Sequence, residues 1–147
     1  MLFLFHTNVG SLPKHIDELE LYLDSLKFNF PIIGLSETRL DSTKQDLYNL
    51  SNYTPIHAFR SERRGGGVSL FIQDKIQFKR RLDLEYFDCE MESVYIEIDS
   101  SVYCTKSNIV VGLIYRMPNS SVEVFNERTD AMLNTIKKEK KDHLPIR

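Results

Sequence analysis

Residues 31–40 limit what this chain can fold into more than any other stretch. An apolar run at residues 32–35 lies between Pro31 and a polar cluster, a pattern typical of a strand buried on both faces. Glu37 follows at the strand's carboxyl end, where open α/β sheets bind their ligands. A single carboxylate there suits Mg²⁺, which keeps several waters and binds substrate phosphate. The alternative is a solvated glutamate that ends a strand.

The first strand and helix are predicted from residues 2–26. An apolar stretch at residues 2–5 is followed by polar residues up to Asn8, which indicates a strand with a polar carboxyl end. A helix capped by Ser11 or Leu12 then carries an apolar stripe of residues spaced three and four apart, namely Ile16, Leu19, Leu23 and Leu26. A strand, helix, strand unit favours parallel pairing, so Asn8 and Glu37 should lie at the same edge.

The rest of the chain alternates short apolar strands with turns. We predict strands at residues 53–59, 68–72, 78–82, 92–98 and 108–115, mostly antiparallel because their connections are short. Ser120 and Glu123 form a predicted capping box for a last helix. Its predicted buried face consists of Val122, Phe125, Met132 and Ile136. Residues 141–147 are expected to be a disordered tail.

Composition describes an ordinary globular protein. The 147 residues suit one domain, 1–147, and the net charge of -2 gives no overall basic field for nucleic acid. No run approaches the roughly 20 apolar residues of a membrane helix, and the apolar start lacks the basic region of a signal peptide. We therefore expect an intracellular protein of the cytoplasm and nucleus, without a membrane partner. Cys89 and Cys104 are expected to be free, buried thiols.

Residues 60–67 combine arginines with three consecutive glycines. Glycine lets backbone N–H groups approach an anion, and arginine binds phosphate with two hydrogen bonds. Arg60, Arg63 and Arg64 are therefore candidate phosphate or DNA contacts. A hairpin connection with solvated charges explains the same composition equally well.

Four motifs in order resemble one known superfamily. They are His6-Thr7-Asn8-Val9-Gly10-Ser11-Leu12, Gly34-Leu35-Ser36-Glu37-Thr38-Arg39-Leu40, Arg64-Gly65-Gly66-Gly67-Val68 and Gly112-Leu113-Ile114-Tyr115-Arg116-Met117-Pro118-Asn119. Together they resemble the endonuclease/exonuclease/phosphatase superfamily, most closely the apurinic-type endonuclease domain of LINE-like non-LTR retrotransposons. The resemblance extends to about Lys140. The sequence departs from the residues usual in the family at Gly10 and Met117.

The resemblance implies a fold, a reaction and a set of site residues. The fold is α/β (α+β): half or more of a four-layer β-sandwich flanked by helices, with a mixed sheet whose first two strands are parallel. Asn8 matches the active-site asparagine, Glu37 the Mg²⁺-binding glutamate and Tyr115 the tyrosine near the scissile phosphate, while Asn119 follows in the same turn. The metal, Mg²⁺ or Mn²⁺, would be held by Glu37 and Asn8. The implied partners are DNA and an adjoining reverse transcriptase segment.

The family's later motifs, which supply the water-activating aspartate and the phosphate-contacting histidine, have no match here. Asp142 and His143 have suitable side chains but follow a basic helix end, so that role is not transferred to them. The sequence therefore predicts a truncated domain with little activity alone, which could self-associate through an exposed apolar sheet face. Three alternatives stay open. The coding region is incomplete and the intact protein is an active endonuclease, or the chain is a non-catalytic binding module that uses residues 60–64 and 79–81, or it is a lipid or inositol phosphate phosphatase.

Overall fold

The computed structural model describes residues 1–59, 65–139 and 142–146. Its elements run in the order β1 (Leu4–Asn8), α1 (Leu12–Ser25), β2 (Ile32–Ser36), β3 (Tyr53–Ala58), β4 (Val68–Gln73), β5 (Phe78–Arg80), β6 (Met91–Ile98), α2 (Ser100–Tyr103), β7 (Ile109–Arg116), α3 (Val122–Lys138) and β8 (Asp142–Ile146). The chain divides into two compact units, Met1–Lys75 and Ile76–Arg147. The single domain predicted from the length stays a prediction.

The first unit contains a four-stranded mixed sheet in the order β1-β2-β4-β3. Strand β1 is parallel to β2, in a register that runs from Leu4 opposite Ile32 to Asn8 opposite Ser36. Every residue of β2 is buried, as its apolar run predicts. The mixed α/β fold with parallel first strands is therefore confirmed.

Helix α1 covers one face of this sheet. Leu12 and Leu19 of the helix belong to the same buried cluster as Ile33 and Leu35 of β2. Each such side chain contributes about 1.5–3 kcal/mol by leaving water. The helix ends at Ser25, so Leu26, the last residue of the predicted stripe, remains 39% exposed.

The second unit contains a four-stranded sheet in the order β5-β6-β7-β8. Strands β6 and β7 pair antiparallel along their full length, and Met132 and Ile136 of α3 share a buried cluster with Tyr95. Gly112 makes this packing possible, because a Cβ atom at that position would lie 2.1 Å from the Tyr95 ring. A side chain there would displace the ring from the core.

Strand β8 differs from the disordered tail predicted for residues 141–147. Asp142–Ile146 pairs parallel with β7, from Ile109 opposite Asp142 to Leu113 opposite Ile146. The strand is short and contains Pro145, which argues against a strand in a sequence pattern. Helix α3 connects β7 to β8 in a strand, helix, strand crossover that brings the two strands together. The sequence of the five strand residues alone does not indicate this long-range pairing.

The start of α3 and the cysteines also differ from the prediction. Ser121, not Ser120, caps the helix by accepting a hydrogen bond from the Val124 N–H at 3.2 Å. Ser120 instead donates to the Met117 carbonyl at 2.7 Å. Val122 is 51% exposed, so it does not belong to the buried face. Both cysteines, Cys89 and Cys104, are exposed.

The exposed apolar sheet face predicted for self-association is not found among the described residues. Strands β2, β4, β6 and β7 are buried along nearly their whole length. The large apolar side chains that remain exposed lie mainly on α1 and in loops, for example Leu21 at 71% and Leu47 at 71%. No described helix has the length and apolar character needed to cross a membrane.

Candidate functional site

The parallel pairing of β1 and β2 brings the polar ends of both strands to one edge. Asn8 is the register partner of Ser36, and the Val9 N–H donates to the Ser36 carbonyl at 3.0 Å. Glu37 therefore directly follows Ser36, the residue opposite Asn8. The Asn8 Oδ1 atom accepts a hydrogen bond from the Gly10 N–H at 3.0 Å, which fixes the side chain over the turn.

Glu37 lies in a strained and tightly held turn. The φ angles of Glu37 and Arg39 are 54° and 53°, in the left-handed region that costs L-residues roughly 1–2 kcal/mol each. Three backbone hydrogen bonds hold the turn: Thr38 N–H to the Gly67 carbonyl at 3.2 Å, Arg39 N–H to the Gly66 carbonyl at 2.9 Å, and Leu12 N–H to the Thr38 carbonyl at 2.9 Å. Such strain persists only where the surroundings fix it.

His6 belongs to the same edge and was not assigned a role from the sequence. It lies two residues before Asn8 on β1, so strand alternation places both side chains on one face. Its Nε2 atom lies 3.5 Å from the Ser36 hydroxyl oxygen. Burial lowers the pKa of His6 below its usual range, which favours the neutral imidazole at pH 7. The signal that could have found it is its i, i+2 spacing from Asn8.

The atoms available at this edge suit a hard cation. Glu37 supplies a carboxylate and Asn8 a neutral amide oxygen, and oxygen ligands are those that Mg²⁺ prefers. Within residues 1–59, 65–139 and 142–146 no group of three or more His, Cys, Asp or Glu side chains could enclose a metal. A site with one carboxylate would leave most of the coordination shell to water and phosphate, the arrangement usual for Mg²⁺ in phosphate chemistry.

Tyr115 and Asn119 lie in the second unit, at the end of β7 and in the turn that follows. Tyr115 is partly buried and pairs in register with Glu92, which is fully buried in β6. Asn119 has a φ of 64°. The turn is held by Glu90, whose Oε2 atom accepts the Ser121 N–H at 2.7 Å, and by the Ser120 N–H bond to the Met117 carbonyl at 3.1 Å.

The predicted phosphate contacts Arg60, Arg63 and Arg64 lie outside the described residues. The strands on either side of them, β3 and β4, pair antiparallel with Ala58 opposite Val68. Gly66 and Gly67, which follow these arginines in the sequence, accept hydrogen bonds from the Glu37 turn through their carbonyl groups.

Two of the three cationic side chains at residues 79–81 bind acidic groups of their own unit. Arg80 donates two hydrogen bonds of 2.9 Å to Glu85. Arg81 is 5% exposed and forms ion pairs with Asp83, Glu97 and Glu139 at 2.7, 2.6 and 2.9 Å. These contacts raise the pKa of Arg81. Both guanidinium groups are thus occupied within the fold.

Comparison with solved structures identifies the fold. The chain is similar to D. rerio TDP2 complexed with single strand DNA product (12% identity, TM-score 0.53, 98% of this chain and 58% of that chain). It is also similar to AP endonuclease LMAP from Leishmania major (13%, 0.57, 90% and 46%) and to the human Nocturnin catalytic domain with bound sulfate anion (12%, 0.58, 93% and 58%). The chain has an endonuclease/exonuclease/phosphatase-type fold.

The likeness to these proteins is structural. No family model matches the sequence, and no curated protein sequence matches it. The chain spans about half the length of the solved structures that share its fold, from 46% to 58% in the three cases. The similarity therefore establishes the fold, and the activity of a whole protein of this type is a matter for proposal.

Proposed function

We propose that this chain carries the metal-binding part of a Mg²⁺-dependent nuclease that hydrolyses phosphodiester bonds in DNA. The observation that carries the proposal is the β1–β2 register, which brings Asn8 and Glu37 to one sheet edge. A carboxylate beside an amide oxygen at the carboxyl ends of parallel strands is suited to a hard cation and a phosphate.

The proposed residues have separate roles in this chemistry. Bound Mg²⁺ would neutralise charge that develops on the phosphate during hydrolysis. Glu37 supplies the anionic ligand and Asn8 a neutral oxygen. Tyr115 and Asn119 are proposed, from the motif resemblance, to orient the phosphate by hydrogen bonding. We assign the water-activating base and the phosphate-contacting histidine to no residue of this chain.

The finer proposal is an endonuclease of a LINE-like non-LTR retrotransposon, which nicks DNA for an adjoining reverse transcriptase. Its support is the pair of motifs around Glu37 and Tyr115, and one protein of the same fold has been solved with a single strand DNA product. The transcript that encodes residues 1–147 tests this proposal. It should also encode a Gly-Asp-x-Asn motif and a reverse transcriptase in frame, and an unrelated open reading frame would contradict the retrotransposon origin.

The alternative of a non-catalytic nucleic-acid or protein module is less well supported. It relies on the cationic residues 60–64 and 79–81. Arg80 and Arg81 already bind carboxylates within the fold, so among residues 79–81 only the exposed Lys79 is left to meet a phosphate. A steep salt dependence of DNA binding without cleavage would favour this module.

A supercoiled-plasmid nicking assay tests the proposed function. We expect any nicking by the purified chain to require Mg²⁺ and to fall by more than about a hundredfold in Glu37→Ala, because the anionic metal ligand is lost. The control is Asp46→Ala, which removes an exposed carboxylate of the same unit and should change nothing. Circular dichroism confirms that each variant folds.

Two results of this assay bear on different claims. Nicking that persists with EDTA, or that Glu37→Ala leaves unchanged, would contradict the proposed metal site. An absence of nicking by the folded chain would agree with the sequence-based prediction of little activity alone, and metal binding at Glu37 is then measured directly.

A further inference from the structure

Gly66 and Gly67 bind the Glu37 turn through their backbone carbonyl groups. We infer that Gly67 is a positioning residue for the metal site: the absence of its side chain lets Thr38 pack against it and thereby sets where Glu37 lies. The inference rests on the proposed function, because it concerns the affinity of that same site for a divalent cation.

The close contact leaves no room for a side chain at Gly67. A Cβ atom there would lie 2.5 Å from the Thr38 Oγ1 atom, 3.5 Å from the Arg39 nitrogen and 3.6 Å from the Ala58 carbonyl oxygen. Thr38 is only 1% exposed and is branched at Cβ, so close packing and a small set of χ1 rotamers restrict how its hydroxyl can move away. A side chain at Gly67 must therefore displace Thr38, either through a change of rotamer or through a shift of the backbone that carries it.

Glu37 would follow such a movement. Antiparallel pairing of β2 with β4 ends with Ser36 opposite Val68. Glu37 directly follows β2, and Gly67 directly precedes β4. Beyond them the Thr38 N–H donates to the Gly67 carbonyl and the Arg39 N–H to the Gly66 carbonyl. Glu37 lies between these hydrogen bonds and the strand pairing, in a left-handed conformation with little freedom to adjust.

Gly65 provides a matched control. Its φ of 94° is close to the 90° of Gly67, yet no atom of the described residues lies within 4 Å of a Cβ atom built on it. Gly65→Ala and Gly67→Ala therefore both place an L-residue at a similar positive φ, and Gly67→Ala adds the collision with Thr38. A difference between the two variants reports the contact itself.

The test is a titration with Mn²⁺ in which the free ion is followed by electron paramagnetic resonance, together with a thermal melt of each variant. We expect Gly67→Ala to weaken Mn²⁺ binding by about tenfold, the effect of displacing a ligand through its supporting contacts. Gly65→Ala should weaken binding by less than about twofold. Equal affinities of Gly65→Ala and Gly67→Ala would overturn the inference.

A second pair of variants decides the matter should Gly67→Ala fail to fold. Thr38→Ala removes the hydroxyl, so adding Gly67→Ala to it should weaken Mn²⁺ binding no more than Gly65→Ala does. A further tenfold loss in the double variant would overturn the inference. The parent proposal has its own control, Glu37→Gln: unchanged Mn²⁺ binding in that variant contradicts the proposed metal site, whereas loss of binding there with no effect of Gly67→Ala contradicts the positioning role alone.

Discussion

Two of the four proposed site residues occupy the left-handed backbone region. Glu37 and Asn119 have φ angles of 54° and 64°. Asparagine tolerates this conformation better than most residues, but glutamate does not. The turn at Glu37 is therefore maintained by its hydrogen bonds to Gly66 and Gly67. Strain of this kind clusters at functional sites, which agrees with a metal-binding role for Glu37.

Thr38 gives a prediction at the scale of one residue. Its Oγ1 atom is buried and forms no hydrogen bond within the described part of the chain. Valine has the same shape without the hydroxyl, so Thr38→Val should stabilise the protein by about 1 kcal/mol, the penalty of an unpaired buried polar group. Urea denaturation measures the change, and Thr38→Ser, which keeps the hydroxyl but loses the methyl group, should destabilise. A less stable Thr38→Val would mean that the hydroxyl has a partner.

At the scale of elements, locally encoded features were predictable from the sequence. The buried strand β2 follows from an uninterrupted apolar run, and α1 follows from its spaced leucines. Features that depend on distant pairing were not. Strand β8 exists because β7 lies beside it, and the hydrogen bonds from the Glu37 turn to Gly66 and Gly67 join segments about 30 residues apart. No local pattern records either contact.

The ion-pair cluster around Arg81 gives a prediction at this scale. Arg81, after β5, binds Glu97 of β6 and Glu139 at the end of α3. Arg81→Ala should destabilise the protein by about 3 kcal/mol, because it leaves the nearly buried Glu97 carboxylate without its cation. Arg81→Lys should rescue little, since a single ammonium group cannot reproduce the paired guanidinium bonds.

Urea denaturation at pH 7 measures these losses of stability. The control is Lys79→Ala. The Lys79 side chain, on β5 two residues before Arg81, is exposed and should contribute less than about 1 kcal/mol. Equal effects of Arg81→Ala and Lys79→Ala would show that the cluster is not a structural contact of this unit.

At the scale of the whole molecule, the fold and the function have different support. Two four-stranded sheets with flanking helices establish the fold, and proteins with about 12–13% identity share it. The resemblance of four short motifs to a known superfamily implied this fold class. The site residues are supported by the motifs and by the register of β1 with β2. Chemistry at Glu37 is therefore the central claim to test.

The most direct test is a Mn²⁺ titration of the ¹⁵N-labelled chain followed by nuclear magnetic resonance. The paramagnetic ion broadens the amide signals closest to it, so binding at the proposed edge should first broaden the signals of Asn8 and Glu37, and Glu37→Gln should abolish the effect. Broadening that starts instead at the acidic residues of α1, such as Asp17 and Asp24, and persists in Glu37→Gln would contradict the metal site.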